Sequence, residues 1–229
     1  CRQLDKPLCI VTPGEAEATR FAADLNTLGI PAAVFPARDY VLRPIEGTAR
    51  EYEYRRLAVL GELVGGRLRA VAVPAEALTQ FTTPKEDFCA NTRTLHAGDT
   101  LLRDDLLAAL FGAGYTRRAQ VDGPGQFSVR GDIVDIFAPD QKMPVRMEFW
   151  GDEIDTLHTF DLTTQRREDA IDKFYLSPAR EVLFGKPADA AEQLRAFLAK
   201  QRGKKKTAMA DCMAADLDLL DGGAVPVNM

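Results

Sequence analysis

Val145-Arg146-Met147-Glu148-Phe149-Trp150-Gly151-Asp152-Glu153 is the stretch that decides how the middle of the chain folds. Apolar and polar residues alternate from Val145 to Trp150, the period of a strand with two unlike faces. Val145, Met147 and Phe149 make an ordinary core face. Arg146, Glu148 and Trp150, the one tryptophan of the chain, make the other. Tryptophan and arginine are the side chains most enriched at binding hot spots, because each joins a large contact area to a directed polar group. The competing reading has Trp150 covered by a helix of its own domain, with Arg146 and Glu148 as an exposed ion pair of little weight. Spacing alone does not choose between them.

Similar short runs lie on either side: Tyr115 to Val121, Gln126 to Arg130, Asp132 to Phe137 and Glu153 to Phe160. Gly123-Pro124-Gly125, Pro139-Asp140 and Gly151-Asp152 supply turns between them. Ahead of them, Leu101, Leu102, Leu106, Leu107 and Leu110 form an amphipathic helix, with Asp99 or Thr100 as N-cap and Gly112 to Gly114 at its end. This predicts a helix followed by an antiparallel meander, an α+β domain over residues 92–180.

Residues 1–91 have a different character. Leu8-Cys9-Ile10-Val11-Thr12, Ala32 to Phe35 and Ala70 to Val73 read as strands buried on both faces. Between them, Ala18, Phe21, Ala22, Leu25 and Leu28 recur at helical spacing up to Gly29. Tyr52, Arg56, Leu57, Leu60 and Leu63 do the same up to Gly65-Gly66. Strand–helix alternation predicts a small parallel α/β layer with right-handed crossovers. From residue 181 to 229 a helix is expected over Ala188 to Gln201, followed by the basic cluster Lys200, Arg202, Lys204, Lys205 and Lys206. That cluster reads more readily as a solvated helix end than as a phosphate-contacting patch.

Composition narrows the function. In 229 residues, 46% are hydrophobic and 28% charged, which suits a globular protein with a real core. The net charge of −5 argues against a free-standing nucleic-acid binder. There is no apolar run long enough to span a membrane and no secretory signal at the start. Cys1, Cys9, Cys89 and Cys212 lack metal-ligand spacing and read as reduced, mostly buried thiols of a cytoplasmic chain. No G-x-x-x-x-G-K-[ST] loop is present, so no autonomous ATPase is expected.

Other side chains are weighed and set aside. Asp132, Asp135, Glu148, Asp152, Glu153 and Asp155 read as a solvated acidic rim, since they sit in turns or alternate across strands. Arg130-Gly131-Asp132 lies between two strand patterns and is not expected at an exposed loop tip. His96 and His158 are the only histidines, and neither has the neighbours of a catalytic triad.

At Gly125 to Phe137 and Pro144 to Asp155, followed by Phe160-Asp161 and Thr164-Gln165-Arg166, the sequence resembles the UvrB-homology module of the bacterial transcription-repair coupling factors. Gly98-Asp99, Arg103-Asp104 and Gly114-Tyr115 match the leading helix of that module. The resemblance covers most of the chain. UvrB carries a tyrosine-rich, DNA-clamping hairpin where this sequence passes from Phe35 through Asp39-Tyr40 towards the helix around Arg56. The likeness is therefore to the coupling factors.

The resemblance implies a degenerate helicase-like parallel-sheet domain, an inserted α+β antiparallel domain and part of a third. It implies a non-catalytic segment that docks UvrA and recruits nucleotide excision repair where RNA polymerase has stalled. ATP and magnesium are then expected in a translocase motor elsewhere in the parent protein. No cofactor is expected in this segment, and no membrane. RNA polymerase, DNA and the remaining domains of the same polypeptide are the other implied partners. Carried over position by position, Arg130, Arg146, Glu148 and Trp150 fall where the family touches UvrA; phenylalanine is commoner at the last. A UvrB-like DNA-binding segment of a remodelling enzyme is the alternative.

Overall fold

The computed structural model describes residues 6–38, 49–181, 187–200, 213–214 and 216–218. Two compact units are present, Cys1–Arg38 with Tyr52–Leu183, and Asp39–Glu51 with Phe184–Met229. The described passage resumes at residue 49, so the comparison with the UvrB hairpin over 39–48 lies outside the described residues, as do Cys1, Arg202, Lys204, Lys205, Lys206 and Cys212.

The first unit opens with β1 (Leu8–Thr12), α1 (Glu15–Thr27), β2 (Ala32–Val34), α2 (Ala49–Val64) and β3 (Ala70–Pro74). They make a three-stranded parallel sheet in the order β1-β3-β2. β3 is central and buried along its whole length, as its apolar run predicts. On one side Ala18, Ala22, Ala32, Ala70 and Ala72 pack together with α1; on the other, Val59, Leu68, Val71, Val73 and Ala77 pack with α2. β1 departs from the expectation. It is an edge strand bonded to β3 alone, and Leu8 and Val11 are exposed. Cys9 on this strand is exposed too, and so is Cys89, which corrects the reading of the thiols as mostly buried.

α3 (Ala75–Leu78) and α4 (Lys85–Ala90) lead to β4 (Arg93–His96) and α5 (Arg103–Gly112). The helix begins three residues later than a cap at Asp99 would give and two later than one at Thr100. Leu102 holds the N-cap position, the Asp99 carboxylate accepts from the backbone N–H of His96 at 2.7 Å, and Thr100 bridges to Glu153. Then follow β5 (Thr116–Arg117), β6 (Gln126–Arg130), β7 (Ile133–Phe137), β8 (Val145–Trp150), β9 (Glu153–Phe160), β10 (Arg167–Ala170) and β11 (Lys173–Leu176). Strands β10-β9-β8-β7-β6-β5 form one sheet, and β11 pairs with β4. From β6 to β10 the pairing is the antiparallel meander that was expected, but the strand predicted from Tyr115 shrinks to β5 and runs parallel to β6. The second unit contains α6 (Pro187–Lys200), with Ala191, Leu194, Leu198, Met213 and Leu217 packed together.

Two hairpins use the same connection. Gly131-Asp132 joins β6 to β7 and Gly151-Asp152 joins β8 to β9, each glycine with a positive φ (61° and 64°). A positive φ at the first position of a two-residue turn matches the twist of the strands and suits a residue with no Cβ. Arg130-Gly131-Asp132 thus includes an exposed loop tip after all, and Arg103 braces it by donating to the Gly131 carbonyl (2.8 Å) and the Asp132 carboxylate (3.3 Å). One face of the sheet packs on α5 through Leu106, Leu110, Phe127, Val134, Ile136, Met147, Phe149, Ile154 and Leu157. Fully burying a side chain such as Met147 contributes about 1.5–3 kcal/mol.

Candidate docking face

The face of the sheet opposite α5 is built by register. Val145, Met147 and Phe149 point into the core as their spacing predicts, so Arg146, Glu148 and Trp150 share the other side. Arg146 stands opposite Asp135 on β7 and His158 on β9; Asp135 in turn stands opposite Ser128 on β6. Arg130 lies one step along β6 on the same face, diagonal to Asp135.

Arg146 is not a solvent-facing side chain, and this corrects the expectation. Its Nε and one terminal nitrogen donate to the two oxygens of Asp135 at 2.7 and 2.9 Å, and the other terminal nitrogen donates to the Gln165 carbonyl at 3.2 Å. The guanidinium lies 4.7 Å from the ring centroid of Phe160. Buried charges persist only when paired and hydrogen-bonded, and here every nitrogen of the fork has a partner. The hydrogen bonds and charge of Asp135 raise the Arg146 pKa further, against the burial that would lower it. Asp135, read from the sequence as part of an acidic rim, is fully buried. Asp132, Asp152, Glu153 and Asp155 are exposed as expected.

The carbonyl that meets Arg146 is held by a tight turn. Gln165 is the one non-glycine residue with positive φ (59°) among the described residues. Its N–H donates to the Asp161 carbonyl at 2.8 Å, while the Asp161 carboxylate accepts from the N–H groups of Thr163 and Thr164. The Thr164 hydrogen bonds hold the Asp161 carboxyl below its usual range. Beside the turn, Val121, Phe137, Phe160 and Leu162 cluster over one end of the sheet.

The rim is wetter. Arg130 is half-exposed and donates to Asp135 at 2.7 Å. Glu148 is half-buried, pairs with Arg167 of β10 and accepts from the Thr156 hydroxyl at 3.3 Å; it does not pair with Arg146. Trp150 is 82% exposed at the end of β8 and is covered by no helix of its domain. A tryptophan so exposed beside fixed charged groups is a typical anchor for another macromolecule.

A nucleotide is fitted poorly by the β1–α1 connection, where a parallel α/β layer would hold phosphate. Glu15 and Glu17 occupy the first turn of α1, and the Thr12 hydroxyl is turned to the Gly14 carbonyl at 2.8 Å. A phosphate there would meet the two carboxylates, one of them already paired with Arg55 at 3.3 Å. Among the described residues, no group of three His, Cys, Asp or Glu side chains converges as metal ligands. No described helix is long and apolar enough to cross a membrane.

Residues 94–182, which carry this face, match the UvrB interaction domain. Transcription-repair-coupling factors from several bacteria align with it and with the layer before it. That of Myxococcus xanthus is 35% identical across 79% of this chain, and that of Mycobacterium bovis 37% across 72%. The Bacillus subtilis protein aligns over 89% at 27% identity. The chain belongs with the UvrB-homology modules of the transcription-repair-coupling factors. It spans only 14–18% of the length of these relatives. The site of this UvrB-homology module gathers Arg130, Arg146, Glu148 and Trp150 on one sheet face. Asp135, Gln165 and Arg167, which complete it, were not singled out as site residues from the sequence.

Proposed function

We propose that the module docks UvrA through this sheet face, as the non-catalytic recruiting segment of a cytoplasmic coupling factor. The observation that carries the reading is Trp150, an open aromatic on the same sheet face as Arg130 and the Glu148–Arg167 pair of a UvrB interaction domain. In this reading the parallel layer of residues 1–91 is a degenerate helicase-like domain, residues 92–180 are the inserted docking domain, and residues 181–229 begin a third. The two glutamates at the start of α1 support a layer that has no nucleotide to hold. ATP, magnesium, RNA polymerase and DNA then belong to other parts of a longer protein. A DNA-binding role for the module itself is disfavoured by its net charge of −5.

Titration calorimetry of the module against UvrA tests the reading. Saturable binding is expected, weakened about 30-fold or more by Trp150→Ala. Absence of binding by the folded parent would refute it.

A further inference from the structure

Two arginines of the face, Arg130 and Arg146, share Asp135 and are held by it in different ways. Arg146 spends its Nε and both terminal nitrogens inside the fold, two on Asp135 and one on Gln165. Arg146 and Asp135 therefore cancel in charge where neither meets water freely. Arg130 makes a single contact with the same carboxylate, through one terminal nitrogen, and stays half-exposed. A solvent-facing arginine ordinarily loses side-chain rotamer entropy when a partner fixes it. Here the side chain is already held by a buried acid while about half of it stays exposed. A planar guanidinium fork matches a carboxylate with two parallel hydrogen bonds.

We infer that Asp135 is a positioning residue that presents Arg130 to an acidic side chain of the docking partner, with Arg146 as the buried counter-charge and not a contact. The inference rests on the UvrA-docking reading and assigns the roles within it. Electrostatically, the partner sees one positive charge from this trio, at Arg130. Trp150 supplies the apolar contact beside it.

The test separates presentation from direct contact. UvrA affinity and melting temperature are measured for the parent, Trp150→Ala, Arg130→Ala, the neutral pair Asp135→Leu/Arg146→Met, and the triple variant. Replacing a buried ion pair by apolar residues of similar size usually preserves folding. Arg130→Ala is expected to weaken binding about 10- to 30-fold. The neutral pair is expected to weaken it about 3- to 10-fold although Arg130 is still present. The triple variant should bind as Arg130→Ala does. Parental affinity of the neutral pair overturns the positioning role. A further tenfold loss in the triple variant makes Arg146 a contact and overturns the assignment. Parental affinity of Arg130→Ala, with Trp150→Ala weakened, also overturns it while leaving the docking reading intact. No binding by the parent refutes the docking reading, and the inference falls with it.

A measurement on the free parent needs no buried substitution. Nitrogen-15 NMR of the guanidinium groups, assigned with Arg130→Ala, should show hindered rotation for Arg130 as well as Arg146. A freely averaged Arg130 signal would refute the tether.

Discussion

Arg56 and Glu181 stand 125 residues apart in the chain and meet as a two-pronged ion pair from which water is fully excluded. Arg56 also donates to the Pro36 carbonyl at 2.7 Å and lies 4.0 Å from the Phe35 ring centroid. Glu181 takes a second cation, Arg38, at 3.0 Å, and its carbonyl accepts from the Thr83 hydroxyl. The pair thus fastens α2, the segment after β2 and the chain beyond β11 to one point. Arg56→Met alone leaves the buried carboxylate with Arg38 in place of two cations and should cost up to about 3–5 kcal/mol. Arg56→Met with Glu181→Leu should recover most of that loss. Urea unfolding of the three proteins checks both values.

Acid and base act on this cluster in opposite directions. Burial alone would raise the Glu181 carboxyl, but hydrogen bonds from Arg56 and Thr82 and the charges of Arg38 and Arg56 together hold it below 4.5. Its contribution is present above that ordinary value and is lost as pH falls through the lower folded one. Glu53, which accepts from the N–H of Glu181, is raised above 4.5 by burial, despite that bond. Its contribution is present below 4.5 and fades as pH rises through the raised value. Glu53→Gln keeps the acceptor and removes the charge. By scanning calorimetry, its melting temperature should gain on the parent's as pH rises from 4.5 through the raised value, and keep a constant lead above it.

Gly125 is a close approach as well as a turn. Its φ is 71°, and a Cβ there would come within 2.6 Å of the Tyr54 hydroxyl of α2. Gly125→Ala should therefore destabilise by about 1–3 kcal/mol, through backbone conformation and displacement of Tyr54 together. Tyr54→Phe in the same background removes the nearest atom and should return part of it. Chemical denaturation of the single and double variants measures the share.

The two faces of β8 should respond oppositely to substitution. Met147→Asp places a charge in the core and should cost more than about 4 kcal/mol, enough to unfold the docking domain. Trp150→Ala should change stability by only about 0.5 kcal/mol while weakening UvrA binding. A large fall in melting temperature for Trp150→Ala would show the tryptophan to be structural.

Much of this site is legible in the sequence, up to the limit that register sets. Strand alternation separates Met147 from Trp150, and the two-residue Gly131-Asp132 turn already places Ser128 opposite Asp135. What alternation cannot give is the partner across a longer connection. β7 and β8 are joined by residues 138–144, whose length leaves the pairing open, so Asp135 opposite Arg146 emerges only in three dimensions. For the same reason a face read as solvated proved partly roofed: Phe160 and Gln165 come from later in the chain. β1 was misjudged because an apolar run does not distinguish a central strand from an edge strand. Arg56 sits at a core position of its helix, and its acid lies beyond any local window.

The neutralised Arg146–Asp135 pair has an evolutionary corollary. Charge that is settled inside the sheet leaves the rim freer to vary, above all at the open Trp150. Lineages can retune how strongly and how fast their partner associates by exchanging an aromatic or a rim cation, without first acquiring a compensating change in the core.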